Sequence, residues 1–122
     1  MIVASALHPN LLIVGSDPAA ALVHIRPILR APVVSWSPRE TPHLPLLSCR
    51  TFIVRDLECL TSAQQEMLSA LVTESAPDIQ VVSMTRRPLF PFVRDGLFLE
   101  ALYYRLNVVL IEWNTETGQY TW

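Results

Sequence analysis

Five short apolar runs, separated by helical patterns and proline-rich turns, leave this chain few ways to fold. Leu11-Leu12-Ile13-Val14 stops at Gly15, and Val33-Val34-Ser35-Trp36, Thr51-Phe52-Ile53-Val54, residues 79–84 and residues 108–111 follow. None alternates strictly between apolar and polar, so each reads as a strand buried on both faces. Strands of that kind joined mostly by helices imply a parallel sheet with helices on both sides.

The connecting segments carry helix signals. Asp17-Pro18 is a capping aspartate followed by proline at the first helical position. Leu22, Ile25 and Leu29 then share a face, with Pro27 predicting a kink or stop near Arg26. Thr61 with Gln64 makes a capping box, after which Met67, Leu68, Leu71 and Val72 form an apolar stripe closed by Pro77. Phe98, Leu102 and Leu106 line a short helix. Residues 37–50, with Pro38, Pro42 and Pro45, read as an irregular connection. Residues 86–96, with Pro88 and Pro91, read as a loop. Residues 114–122 read as a polar tail ending in aromatics, set apart from a domain over 1–113.

Composition narrows the function. A chain of 122 residues suits one domain with a real core. With 51% apolar and 16% charged residues it is too apolar for disorder and poorer in charge than an ordinary soluble surface. That balance predicts an apolar patch with a protein partner. All nine basic residues are arginines, so Schiff-base chemistry, lysine general bases and a phosphate-binding lysine are excluded. A formal charge of −2 with scattered arginines argues against a nucleic-acid groove. Cys49 and Cys59 form no C-x-x-C pair and read as reduced thiols of a cytoplasmic protein. The first residues lack the basic start of a signal peptide, and no run reaches the ~18 apolar residues of a membrane span.

Several segments carry a resemblance. FLEALYYRLNVV, residues 98–109, closely resembles the FREDLYYRLNVV segment of sigma-54-dependent transcriptional activators, which are AAA+ ATPases. Residues 57–72 look like that family's helix after Walker B, residues 80–85 like its sensor I strand, and residues 11–15 stand where its Walker A strand stands. The resemblance spans roughly residues 10–112 in family order. It implies a three-layer P-loop-type α/β domain, a degenerate AAA+ subdomain over 1–113, with five parallel strands ordered 5-1-4-3-2.

Measured against that family's pattern, the Walker A, Walker B and sensor I residues are lost at the matching positions. In the stretch Gly15-Ser16-Asp17-Pro18-Ala19-Ala20-Ala21-Leu22, alanines stand where the P-loop has its second glycine and its lysine. Pro18 removes a backbone N–H donor, and Asp17 puts an anion where phosphate would sit. The Walker B pair is replaced by Arg55 and Asp56, and arginine cannot ligate magnesium. A register slip would put Asp56 in the metal role and Glu58 near the water. The sensor I asparagine is replaced by Arg86; of two arginine fingers, the first is Leu99 and the second is retained as Arg105. Residues 37–50 stand in place of the GAFTGA loop that grips sigma-54.

The expectation is a non-catalytic pseudo-ATPase domain with no cofactor and no metal, acting as a protein-interaction or transcription-regulatory module. Its partner would be a second copy or a related AAA+ activator, with no nucleic acid or membrane contacted. The alternative is a nucleotide-binding remnant acting in trans through Arg105 in a mixed oligomer; a fragment without a present role is a third reading. Arg105 also has an ordinary role open to it, pairing with Glu100, Glu112 or helix-end carbonyls. Tyr103, Tyr104, Trp113 and Trp122 read either as interface aromatics or as core and tail packing; Trp113, Tyr120 and Trp122 are the candidate anchors of a patch over residues 109–122, against the simpler reading that the tail covers its own domain. A nucleophile pair of Cys49 or Cys59 with His24 or His43 has no supporting local signature. His8, His24 and His43 lack metal-ligand spacing, and Arg86-Arg87 reads as a solvated pair.

Overall fold

The computed structural model describes residues 8–75, 78–114 and 119–121, with side chains described as far as Trp113. Five parallel strands form its centre: β1 (Leu11–Val14), β2 (Val33–Trp36), β3 (Thr51–Val54), β4 (Gln80–Thr85) and β5 (Val109–Asn114). A sixth, β6 (Gln119–Thr121), runs antiparallel to β5. The order across the sheet is β2-β3-β4-β1-β5-β6. The five parallel strands therefore take the expected 5-1-4-3-2 order, with β1 paired to β4 on one side and β5 on the other.

Two points differ from the sequence expectation. The boundary drawn between residues 113 and 114 falls inside β5, and the segment read as a tail returns to add an edge strand. Residues 86–96 are not all loop, because Phe90–Arg94 forms a short helix, α3. Pro91 sits in its first turn, where a missing N–H costs nothing. Gly96, at φ +76, ends the turn that follows.

Helices α1 (Pro18–Ile25), α2 (Ser62–Ser75) and α4 (Glu100–Leu106) complete the layers. Their ends follow the local chemistry. The Asp17 side chain accepts the Ala20 N–H at 3.1 Å, and α1 stops at Ile25, passing into a single 3-10 turn at Pro27. Thr61 and Gln64 cap α2 reciprocally: Gln64 N–H donates to the Thr61 hydroxyl at 3.1 Å, and Thr61 N–H donates to Gln64 Oε1 at 2.9 Å.

One core, over Phe52, Val54, Leu68, Val81, Leu102 and Leu106, lies between the sheet and α2 with α4. The other, over Leu11, Ile13, Ile25, Met84, Ile111 and Trp113, lies beneath α1. β1 serves both, since Leu12 faces the first and Ile13 the second. Met67, expected in the stripe of α2, is 52% exposed and lines an open groove against Leu46. Gln64 and Gln65 are buried in its place.

Those glutamines tie loops to the helix. Gln64 Nε2 donates to the Pro42 carbonyl at 2.9 Å, pinning the proline-rich connection. Gln65 Nε2 donates to the Leu60 and Leu97 carbonyls at 3.3 and 3.1 Å, and its Oε1 accepts the Leu99 N–H at 2.8 Å at the start of α4. At the other end of the sheet, Asn10 Oδ1 accepts the Val81 N–H at 2.8 Å, and its Nδ2 donates to the Arg105 carbonyl at 2.9 Å. The Asn10 carbonyl accepts the Val109 N–H at 3.1 Å, so one residue gathers β4, α4 and β5 around β1.

Truncating Gln65 leaves buried backbone groups without partners. Gln65→Ala is expected to cost roughly 2–3 kcal/mol in urea unfolding. Glu66→Ala, on the exposed side of the same helix, is expected to stay within about 0.5 kcal/mol.

Candidate functional site

In a parallel sheet, ligands bind outside the carboxyl ends of the strands, where successive connections leave in opposite directions. A cleft of about 240 Å³ lies there, at the ends of β1, β3 and β4. From the β1–α1 connection come Asp17, Pro18, Ala19 and Leu22. Arg55 and Asp56 come from the end of β3, Met84 and Arg86 from β4. Asp17 and Pro18 of the degenerate P-loop, Arg55 and Asp56 of the Walker B pair and Arg86 at the sensor I position thus stand around one space, while Gly15, Ala20 and Ala21 are not part of its lining.

The β1–α1 connection is closed in on itself. Gly15 N–H donates to the Thr85 carbonyl at 3.0 Å, keeping the chain in the sheet one residue past β1. A Cβ on Gly15 would stand 2.9 Å from the Trp113 carbonyl oxygen and 3.0 Å from Trp113 Cβ, so the backbone of β5 leaves room there for glycine alone. Asp17 then places a carboxylate at the start of α1, with Oδ1 on the Ala20 N–H. Pro18 follows with no N–H at all, and Ala21 is packed into the core. Ala20 lends its N–H to the cap and Pro18 has none, so neither offers a free donor of the kind a phosphate nest uses.

At the end of β3 the two expected Walker B positions diverge. Arg55 turns toward β2 and the proline-rich connection: Nε donates to the Ser35 hydroxyl at 2.8 Å, and Nη2 pairs with Glu40 Oε1 at 2.5 Å. Asp56 adopts the left-handed conformation, at φ +56, which aspartate tolerates better than most residues. Ser37, fully buried, donates its hydroxyl to Asp56 Oδ2 at 2.5 Å. Sequence reasoning singled out Arg55 and Asp56 but not Ser35, Ser37 and Glu40, which hold them. These three lie 15–20 residues earlier in the chain, and no spacing rule links them.

Arg86, read from sequence as a solvated neighbour of Arg87, lies on the wall of the cleft. Glu58, the residue of the register-slip reading, is not part of the lining. Arg105 is exposed on α4, and Nη1 donates to the Thr73 hydroxyl of α2, rather than pairing with Glu100 or Glu112. Trp113, expected as an interface anchor, is 8% exposed and packs beneath α1 with its ring 4.8 Å from that of His24. The side chain of Tyr120 and all of Trp122 lie outside the described residues. Among the described residues no group of three or more His, Cys, Asp or Glu side chains could hold a metal, and no helix is long and apolar enough to cross a membrane.

The thiols are unsuited to nucleophilic work. Burial pushes the Cys49 thiol up, opposed by a hydrogen bond from the Val34 backbone. Cys59 is also raised, first by desolvation and then by the Glu58 and Asp56 carboxylates, against the pull of Arg39 and Arg86. A raised thiol stays protonated at neutral pH, the opposite of an activated cysteine.

The comparisons bear on the fold. The structure superposes on NtrX from Brucella abortus in complex with ADP at a TM-score of 0.65, with 15% sequence identity. That match covers 86% of this chain and 32% of the NtrX chain. Two further structures of NtrX from Brucella abortus, one of them in complex with ATP, match at a TM-score of 0.64 and the same identity. The chain thus spans about a third of the NtrX chains it resembles. No protein-family model and no curated protein sequence matches it. The likeness is one of fold: the α/β architecture of this chain, with its five parallel strands ordered 5-1-4-3-2, resembles part of the NtrX chains.

Alkylation of Cys59 by iodoacetamide checks the electrostatics of the cleft rim. In the folded protein the rate near neutral pH is expected to be lower than in the urea-unfolded chain, and to climb only as pH passes above the ordinary thiol range. A folded-state rate exceeding the unfolded one contradicts the raised thiol.

Proposed function

We propose that this chain is a non-catalytic AAA+-like domain, a relative of the sigma-54 activator ATPases that has lost nucleotide chemistry and works in the cytoplasm by binding protein. The observation carrying this reading is the start of α1. A capping carboxylate and a proline occupy the place where an AAA+ site presents free N–H groups to phosphate. Charge-assisted contacts supply much of the affinity for a nucleoside triphosphate. Here no lysine exists to make them, and Arg55 is committed to Glu40.

A protein-binding role is favoured by the surface. Phe90 of α3 contacts Tyr103 of α4, and Tyr103 contacts Tyr104, at ring distances of 6.2 and 5.2 Å. Phe90 is 49% and Tyr104 57% exposed, so this aromatic row opens to solvent. Aromatic side chains are enriched in protein interfaces, and a two-fold dimer is the commonest closed assembly. The proposed partner is a second copy or a related AAA+ activator meeting this row, in place of the C-terminal anchors expected from sequence.

Two measurements test the reading. Calorimetric titration with Mg-ATP is expected to give no binding heat; a dissociation constant in the low micromolar range overturns the non-catalytic assignment. Light scattering over a dilution series is expected to show mass rising toward that of a dimer, with Phe90→Ser and Tyr104→Ser each reducing it. A mass fixed at the monomer throughout removes the second copy as partner and leaves the related activator, tested by the same measurement on a mixture of the two.

A further inference from the structure

The cleft at the ends of β1, β3 and β4 holds charges that a protein-binding role leaves unused. Asp56 and Arg86 both line it. They are opposite in sign, yet they do not pair: the described ion pairs are Arg55 with Glu40 and Arg94 with Asp95. Arg86 makes no side-chain hydrogen bond with any described residue. Asp56 is held by the Ser37 hydroxyl through Oδ2, on a left-handed backbone, which fixes its carboxylate before any ligand arrives. Asp17, the other carboxylate, is engaged with the first turn of α1, whose dipole offsets its charge. Arg55 is offset by Glu40. What remains is one uncommitted cation and one anchored anion. Apolar surface from Pro18, Leu22 and the buried Met84 completes the lining.

We propose that this cleft binds a small zwitterion with an apolar side chain, the chemistry of a free aliphatic amino acid. The ligand carboxylate pairs with Arg86, its ammonium with Asp56, and its side chain lies against Leu22 and Met84. A cleft of about 240 Å³ suits a ligand of that size. A purely anionic ligand would meet Asp17 and Asp56, and a purely cationic one would leave Arg86 unpaired. Only a molecule carrying both charges satisfies both walls.

The proposal goes beyond the protein-binding reading and stands apart from it, since its probe carries no phosphate. L-leucine, leucinamide and N-acetyl-leucine, titrated into the full chain and followed by NMR chemical shifts, supply zwitterion, cation and anion on one side chain. L-leucine is expected to shift resonances around the cleft and to bind roughly tenfold or more tightly than either analogue, the worth of one lost charged contact. Arg86→Ala, at an exposed position, and Asp56→Asn, which keeps a side chain able to accept from Ser37, are each expected to lose a similar factor. Arg87→Ala, one residue outside the lining, is expected to change nothing. Circular dichroism separates lost binding from lost fold. The proposal is overturned if L-leucine produces no shifts, if the three probes bind equally, or if folded Arg86→Ala binds as the parent does.

Discussion

β1 is the strand on which the rest depends. It is paired along both edges, and its side chains feed the two cores in turn, so no displacement of it leaves either core intact. Leu12 and Ile13 are each only 1% exposed. A four-residue strand supplies few hydrogen bonds of its own, and its hold comes from burial on both faces. The residues flanking it matter accordingly. Asn10 fixes its register from below through three hydrogen bonds to three neighbouring elements. Gly15 continues the pairing above it, where only a missing side chain lets the chain pass Trp113.

The parts legible in sequence were those with local signatures. Apolar-rich runs without strict alternation marked five strands, because burial on both faces removes the need for polar alternation. Asp17-Pro18 marked the start of α1 and Thr61 with Gln64 the start of α2, because caps act within three residues. The strand order, and the assignment of Asp17, Arg55 and Arg86 to one site, came through the family resemblance; the sheet takes that order, and the likeness to NtrX is one of fold alone.

What stayed hidden was long-range or ambiguous. Asn10 and Gln65 bond to backbone groups 32 to 95 residues away, apart from the nearby Leu60, and polar residues used so leave no periodic trace. α3 is a single turn or so with proline in it, and proline in the first turn of a helix reads like proline in a loop. β6 is three polar or aromatic residues that pair only because β5 has an open edge. Trp113, grouped in sequence with Tyr120 and Trp122 as an interface anchor, takes its cover from α1, some ninety residues earlier. In the cleft, Arg86 pairs with no described residue, and the sequence gives no sign of this because Glu40 and Ser37, which hold Arg55 and Asp56, lie 15 and 19 residues from them.

The position of Asn10 has a consequence for how such a domain can change. Its hydrogen bonds gather β4, α4 and β5 at the amino ends of the strands, while the cleft opens at the carboxyl ends. The fastening of the sheet and the surface that meets ligands are therefore carried by different residues at opposite poles. Substitutions at Asp17, Arg55, Asp56 or Arg86 alter the chemistry of one pole without loosening the other. A scaffold divided in this way can shed one ligand and take up another while its architecture stays the same.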